Sequence, residues 1–169
     1  MKINTNNWSY FPITTLFDIK KGTRLTKQNM KPGNINYVGA TAFNNGITAK
    51  IGNIEYLHPV GTITVCYNGS IGQAFYQEEQ YWATDDVNVL YPKFEMTVNI
   101  AHFIIPIIKK LSSKYAYADK WNIEKMSETK LLLPTTNENQ PDWDYIEKCM
   151  HNLRNRVNTN LNQLLNIGD

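Results

Sequence analysis

The clearest local pattern in the chain is the run Gly61-Thr62-Ile63-Thr64-Val65-Cys66-Tyr67-Asn68-Gly69. Large apolar residues alternate with small ones along this run, which is the two-residue period of a β-strand, and an Asn-Gly pair then introduces a turn. Residues 70–76 resume the strand pattern, so the stretch predicts a β-hairpin. Gly72, just past the turn, indicates either a bulge or a place where another group approaches the backbone closely.

Outward from the hairpin, short strands alternate with turns and two helical segments. Further strands are predicted at residues 35–38, 41–43, 47–51, 87–90 and 131–133. Helical spacing predicts a short helix over residues 13–21, closed by Gly22 in a left-handed conformation. The same spacing predicts a buried helix over residues 98–111, kinked by Pro106. This mixture of elements is typical of an α+β domain.

A last helix is predicted to open at Pro141-Asp142. Its apolar residues are three or four positions apart and form a stripe about 100° wide: Trp143, Ile146, Met150, Leu153, Val157, Leu161 and Leu164. A helix of about 26 residues spans about 39 Å, more than one face of so small a domain requires. We therefore expect a domain at residues 1–138, and at residues 139–169 a helix that binds a partner or a second copy.

Composition limits the class of protein. The 169 residues are 42% hydrophobic and 19% charged without repeats, as expected of one globular domain with a core. The two cysteines are far apart, no apolar leader begins the chain, and the longest apolar run is too short to cross a bilayer. These features predict a cytoplasmic protein with no membrane span.

The net charge of +2 is unevenly distributed. Residues 1–80 carry seven Lys and Arg against four acids, whereas residues 81–169 carry ten against eleven. One basic group, predicted to be an exposed loop, comprises Lys20, Lys21, Arg24, Lys27 and Lys31. A second group is interleaved with aromatic residues and comprises Lys109, Lys110, Lys114, Lys120 and Lys125. A solvated face explains either group alone, but the two together favour nucleic acid as the partner.

Common catalytic and cofactor motifs are missing from the sequence. It has no phosphate-binding Walker loop, no dinucleotide fingerprint and no cluster of histidine or cysteine, so no bound cofactor or metal is predicted. Asp85-Asp86 fits a turn better than a metal site. Asp119 with Glu128 and Lys130 has the pattern of a magnesium-dependent nuclease, although ordinary polar residues are the favoured interpretation. A module that binds protein or glycan through its asparagine-rich loops is the other alternative.

Six segments, taken in order, resemble a known family. They are residues 16–22, 35–41, 44–47, 63–72, 114–120, and 131–134 followed by 140–143 and a helix. Together they resemble the target recognition domain of a restriction–modification specificity subunit, Type I-like, in a half-size form with a single such domain. The resemblance covers almost the whole chain and implies a twisted, mostly antiparallel sheet with flanking helices and a long C-terminal helix.

The resemblance also implies a function. The chain would be a non-catalytic subunit that binds double-stranded DNA and directs methyltransferase and endonuclease subunits to a bipartite site. A homodimer of half-size subunits would read an inverted repeat. S-adenosylmethionine is then expected on the partner methyltransferase subunit, with no cofactor or metal on this chain.

Site residues follow from the charge groups and the predicted turns. Contacts to DNA phosphates are expected from Lys20, Lys21, Arg24, Lys27, Lys31, Lys114 and Lys120. Base contacts are expected from Asn44, Asn45, Asn68, Ser70, Tyr115 and Tyr117, and the amides of the asparagines match adenine in the major groove. The alternative for each asparagine, above all Asn68 before Gly69, is a left-handed turn. For Tyr115 and Trp121 the alternative is a place at the edge of the core.

Overall fold

A computed structural model of the protein describes residues 5–115 and 120–165. Nine strands and four α-helices lie in these ranges, in the order β1 (Trp8–Pro12), α1 (Ile13–Leu16), β2 (Phe17–Lys21), β3 (Ile35–Val38), β4 (Ile47–Ile51), β5 (Thr62–Cys66), β6 (Ala74–Gln77), β7 (Tyr81–Ala83), β8 (Val87–Pro92), α2 (Val98–Ser112), α3 (Ile123–Ser127), β9 (Lys130–Pro134) and α4 (Trp143–Leu165).

The described strands form three sheets. A four-stranded sheet has the order β2-β8-β5-β6 and is antiparallel throughout. A three-stranded sheet has the order β4-β3-β7, in which only the β3–β7 pair is parallel. β1 and β9 pair antiparallel as a two-stranded ribbon. The mostly antiparallel α+β architecture predicted from the sequence is therefore confirmed.

The four-stranded sheet is buried on both faces. On one face Ile63, Val65 and Leu90 pack with Ile104 and Ile108 of α2, and each of these side chains is completely buried. The opposite face carries its own cluster of buried side chains, which the three-stranded sheet covers: Val38, Cys66, Tyr81, Ala83, Val87 and Val89. Each large apolar side chain buried in this way contributes roughly 1.5–3 kcal/mol.

The predicted hairpin and central helix are present. β5 and β6 pair antiparallel with Val65 opposite Ala74, joined by the loop of residues 67–73. α2 runs through Pro106 to Ser112, and the Thr97 hydroxyl caps it by accepting a hydrogen bond from the Ile100 amide at 3.1 Å.

Three local predictions were wrong. The helix expected over residues 13–21 ends at Leu16, and Phe17–Lys21 is strand β2, because that segment pairs with β8 along its whole length. Gly22 is not a left-handed cap. It is glycine because a Cβ there would lie 2.1 Å from the Thr84 carbonyl oxygen. Residues 41–43 form bends, not a strand, before a single 3₁₀ turn at Asn44–Gly46.

The first turns of α4 pack on the domain, and its remainder does not. Asp142 caps the helix by accepting a hydrogen bond from the Tyr145 amide at 2.9 Å. Trp143 stacks on Phe94 with ring centroids 3.9 Å apart, and Ile146 is completely buried. Every residue from His151 to Leu165 is exposed. Among the described residues, no helix is both long and apolar enough to cross a membrane.

Candidate nucleic-acid interface

One end of the four-stranded sheet collects loops from five parts of the chain. At this end β2 and β5 finish and β8 and β6 begin, so the residues after Lys21, the loop of residues 67–73 and the turn of residues 84–86 meet. Gly72 in the hairpin loop lies against Ser112, the last residue of α2. Asn122 at the start of α3 shares a cavity with Lys21. We call this region, residues 21–24, 67–73, 84–86, 112–115 and 120–125, the polar end.

The polar end contains some members of each of the two basic groups of the sequence. The Lys21 ammonium lies 5.5 Å from the centre of the Tyr67 ring, and that of Lys114 lies 5.1 Å from the Tyr115 ring. Neither is within ion-pair distance of a described carboxylate. The Arg24 side chain is 77% exposed, and its guanidinium comes no closer than 4.0 Å to a carboxylate oxygen of Asp85. Exposed pairs of this kind are weak, so the positive charge of the polar end remains available to an anion.

The hairpin loop carries Asn68 and Ser70, two of the predicted base-reading residues, and the Asn68 amide oxygen is buried there. The Asn68 amide nitrogen donates to a carboxylate oxygen of Asp86 at 2.7 Å, and the Asn68 amide oxygen has no described partner. Ser70 is half-buried in the same loop. The left-handed conformation expected of Asn68 is wrong, because it is Gly69 that has a φ of +70°.

Three of the predicted cations lie away from the polar end. Lys20 projects from the opposite face of β2 and lies 4.2 Å from the centre of the Tyr91 ring. Lys27 is exposed in a 3₁₀ turn, and Lys31 pairs with Glu55 at 3.4 Å beyond the far end of β4. The single basic loop predicted for residues 20–31 is therefore wrong, since the segment begins as a strand and then runs along the edge of β7.

Asn44 and Asn45 occupy a second place on the surface. Both have left-handed φ angles, near +50°. Their side-chain amides donate to backbone oxygens, Asn44 to Ile47 at 3.0 Å and Asn45 to Tyr76 at 3.1 Å, which fastens this turn to the edge strand β6. They line a groove of about 710 Å³ that also contains Lys50. The turn-forming alternative accounts for their conformation.

The aromatic residues of the second basic group divide between core and surface. Trp121 is completely buried, and its indole nitrogen donates to the Thr129 hydroxyl at 3.2 Å. Tyr115 is half-buried and stacks on Trp121 with centroids 5.7 Å apart. Lys120 is half-buried beside them. Tyr117 lies outside the described residues.

No metal or nuclease centre is assembled in the described part of the chain. Its His, Cys, Asp and Glu side chains form no group of three that could hold a metal ion. Glu128 and Lys130 are exposed, and Asp119 lies outside the described residues. Asp85 and Asp86 are engaged by Arg24 and Asn68 across the turn, as the turn interpretation expects.

His58 is a structural residue. Burial, reinforced by the nearby charge of Lys20, lowers its pKa to about 4. Its Nδ1 atom is 2.7 Å from the Tyr91 hydroxyl, and its ring stacks on Tyr81. Burial, ring stacking and the Nδ1 hydrogen bond account for this imidazole as part of the fold.

Sequence reasoning missed Asn88, which lines the cavity at the polar end with Lys21 and Tyr67. In the sequence Asn88 is one polar residue inside an apolar strand, and no local signal distinguishes it. Its position beside Lys21 exists only because β8 pairs with β2, some 67 residues earlier in the chain.

Comparison with known proteins agrees with the family resemblance. A model of the Type I restriction modification DNA specificity domain matches residues 5–166. The chain is 37% identical over 152 residues to S.BcgI, the specificity subunit of the Type II restriction enzyme BgcI from Heyndrickxia coagulans, covering 89% of this chain and 45% of that protein. A putative type I specificity subunit from Mycoplasma genitalium is 27% identical over 147 residues, with coverage of 83% and 37%. The chain thus spans less than half the length of either relative.

Two solved structures share the fold. The S subunit of a Type-I restriction-modification system from M. genitalium superposes with a TM-score of 0.59 at 19% identity, over 96% of this chain and 44% of that one. The HsdS subunit from Thermoanaerobacter tengcongensis gives a TM-score of 0.63 at 11% identity, over 94% and 40%. The α+β fold that ends in a long C-terminal helix, as predicted, agrees with these structural neighbours.

Proposed function

Since this chain belongs to the family of Type I restriction modification DNA specificity domains, we propose that its polar end reads double-stranded DNA and so selects the site on which a restriction–modification complex acts. One observation carries this proposal. The fold brings the segment that carries Lys21 and Arg24, the hairpin loop that carries Asn68, and the end of α2, two residues before Lys114, to one end of the four-stranded sheet, although about 90 residues separate Lys21 from Lys114.

The proposed division of labour follows the chemistry of these side chains. Lys21, Arg24 and Lys114 contact phosphates, which orients the domain on the duplex without reading its sequence. Asn68 and Ser70 reach base edges from the loop between them. Lys120 and Tyr115 extend the same surface. Lys20, Lys27 and Lys31 lie on other faces and contribute little more than long-range attraction.

The salt dependence of DNA binding tests the polar end. A phosphate contact adds about 0.9 to the slope of log affinity against log salt. The triple variant Lys21→Ala, Arg24→Ala, Lys114→Ala is therefore expected to bind a mixed-sequence duplex more weakly and with a slope reduced by about 2–3. Lys93→Ala is the matched control, because Lys93 is exposed at the opposite end of β8, where it pairs with Asp18 at 3.0 Å. An unchanged slope in the triple variant would exclude this surface.

The exposed half of α4 supports the proposal that two copies associate. Leu153, Val157 and Leu161 are 50%, 48% and 52% exposed, a degree of solvent exposure unusual for a continuous apolar stripe. The stripe is symmetric about Val157, since Leu153 and Leu161 are each four residues away and Met150 and Leu164 each seven. An antiparallel pair with its two-fold axis at Val157 therefore places apolar residues opposite apolar residues.

The charges flanking the stripe favour the same antiparallel arrangement. Arg154 and Arg156 would face Asn160 and Asn158 of the second copy, so no two arginines would meet. A parallel pair would bring the arginines of both copies to one level and would align the two helix dipoles unfavourably. The antiparallel dimer carries two recognition domains related by two-fold symmetry, which suits an inverted, bipartite site.

A charge at the two-fold axis tests the dimer. Val157→Lys is expected to give a folded monomer in sedimentation equilibrium, because the side chain is half exposed in one copy but would meet its own charge in the dimer. Asn162→Lys adds the same charge to the polar face of α4 and should leave the dimer intact. A dimer that survives Val157→Lys, or a wild-type protein that is monomeric at all accessible concentrations, would contradict the arrangement.

The remaining steps belong to partner subunits in this proposal. The chain itself is non-catalytic. A methyltransferase subunit, carrying S-adenosylmethionine, and an endonuclease subunit act at the site that this chain selects.

A further inference from the structure

A cavity of about 230 Å³ lies within the polar end, between the β2–β8 pair and the start of α3. Lys21, Tyr67 and Asn88 line it on the sheet side, and Asn122, Ile123 and Glu124 line it on the helix side. Asn122, Glu124 and Lys21 are exposed, Tyr67 and Ile123 are half-buried, and Asn88 is completely buried. The cavity therefore has a polar rim and a buried floor.

The floor carries unused hydrogen-bonding capacity. The Asn88 side-chain nitrogen and oxygen both lack a described partner. β8 is paired on both sides, with Asn88 opposite Lys21 on β2 and Val65 on β5, so its backbone is covered and its side chain lies on the sheet face that carries Lys21. A buried amide left without partners is unfavourable, and almost all buried polar groups in proteins are paired. Such a group is accounted for when a ligand completes its bonds.

The chemistry around Asn88 identifies the ligand class. The Asn88 carboxamide offers a donor next to an acceptor, which can pair in two places with the amino group and ring nitrogen of adenine once the ligand displaces the side chains that now cover it. The Tyr67 ring is a surface on which a base can lie. The Lys21 ammonium supplies a positive charge for a phosphate, and its 5.5 Å contact with Tyr67 is weak enough to yield when a ligand enters.

We propose that this cavity binds an adenine base together with its 5′-phosphate. The inference rests on the proposed DNA-binding function of the polar end. Asn88 lies on the sheet and cannot project into a groove of the double helix, so a paired base cannot reach it. The adenine comes either from DNA, turned out of the base stack, or from a free nucleotide, and turning a base out is least unfavourable where that base is already unpaired.

The test compares four probes on the full chain at low salt. The probes are deoxyadenosine monophosphate, inorganic phosphate, a fully paired duplex and the same duplex with one bulged adenine. We expect the nucleotide, but not phosphate, to shift the Asn88 side-chain amide resonance in a ¹⁵N NMR spectrum. We expect the bulged duplex to bind about ten-fold more tightly than the paired one, as a two-point amide–adenine contact allows.

Asn88→Leu separates a binding role from a structural one. Leucine has a similar size and removes an unpaired buried amide, so the thermal midpoint of the variant should stay the same or rise. The variant should lose the preference for the bulged duplex and the response to the nucleotide, and it should still bind the paired duplex. Lys93→Ala should behave like the wild type in every assay.

Each outcome decides the proposal. A nucleotide response without a preference for the bulge supports the cavity with a free nucleotide as its ligand. Equal responses to phosphate and nucleotide, or no response to either adenine probe, overturn it. If Asn88→Leu unfolds the domain, Lys21→Ala replaces it and should weaken the nucleotide response while the amide remains. If the wild-type protein does not bind the paired duplex, that result would instead count against the proposed function.

Discussion

Gly72 shows how a single position shapes the polar end. It has a φ of +77°, and a Cβ built there would lie 1.7 Å from the Ser112 hydroxyl oxygen. The hairpin loop can therefore approach the end of α2 only because position 72 carries no side chain. In the sequence Gly72 indicates either a bulge or a close approach, and in the structure it is a close approach.

Gly72→Ala is predicted to be more destabilising than Gly61→Ala. Both glycines have a φ of +77°, but a Cβ at Gly61 meets nothing within 4 Å. The difference between the two variants isolates the clash with Ser112, which we expect to amount to about 1–3 kcal/mol in the free energy of unfolding measured by urea. Equal values for the two variants would show that the loop moves away from α2 freely.

His58 gives the fold a predictable response to acid. Its pKa is lowered to about 4 in the folded protein, mainly by burial, against about 6.5 for an unfolded histidine. Between these two pH values the unfolded chain binds more protons than the folded protein does. The contribution of His58 to the free energy of unfolding is therefore most favourable above about pH 6.5, and it is lost as the pH falls towards 4.

His58→Gln is expected to flatten that response. Glutamine can keep a hydrogen bond to the Tyr91 hydroxyl but does not titrate. The urea midpoint of the variant should therefore fall less between pH 7 and pH 5 than that of the wild type. His102→Gln, on the exposed face of α2, is the control. A wild-type slope in His58→Gln would mean that His58 is protonated freely in the folded state.

At the scale of the elements, the Glu147 carboxylate helps to fix the first turns of α4 against the start of α2. Glu147 accepts hydrogen bonds from the Thr97 hydroxyl at 2.6 Å and from the Asn99 amide at 2.5 Å, both at the start of α2. These bonds lower the pKa of Glu147. Together with Trp143 and Ile146 they set the direction in which the exposed half of α4 leaves the domain.

Glu147→Ala is predicted to loosen this joint. The loss of two hydrogen bonds to a carboxylate should destabilise the protein by about 1–3 kcal/mol in urea unfolding. Amide exchange should accelerate in the first turns of α4 before it does in β5. Glu138→Ala, on an exposed turn, should change neither. If α4 exchanges at its wild-type rate in Glu147→Ala, then packing of Trp143 and Ile146 alone fixes the helix.

Elements with a strong internal period were predictable from sequence. The β5–β6 hairpin is marked by alternation on either side of an Asn-Gly turn, α2 and α4 each repeat their pattern over at least ten residues, and all three elements are present. Residues 13–21 have too short a pattern to decide between helix and strand, and their pairing with β8, about 70 residues away, decided it. The burial of both faces of β5 could not be predicted from the sequence either, because one of those faces is covered by the three-stranded sheet.

At the level of the protein, the two basic groups were predictable and their convergence was not. The sequence identifies Lys21, Arg24 and Lys114 as cations near turns, but the sheet order β2-β8-β5-β6 brings the first two to the end where the hairpin loop meets the end of α2, two residues before Lys114. The same order leaves Lys20 and Lys31 on other faces. The apolar stripe of α4 was predicted in full, whereas its division at His151 into a packed base and an exposed half follows from the position of α2.

Selection from a random duplex pool at low salt, followed by sequencing of the retained DNA, tests the proposal that this chain reads DNA. The account predicts an enriched inverted repeat with a fixed gap, one half for each recognition domain of the dimer. The triple variant at the polar end should retain DNA poorly and without enrichment. A pool that the wild-type protein retains without any enriched sequence would contradict the account.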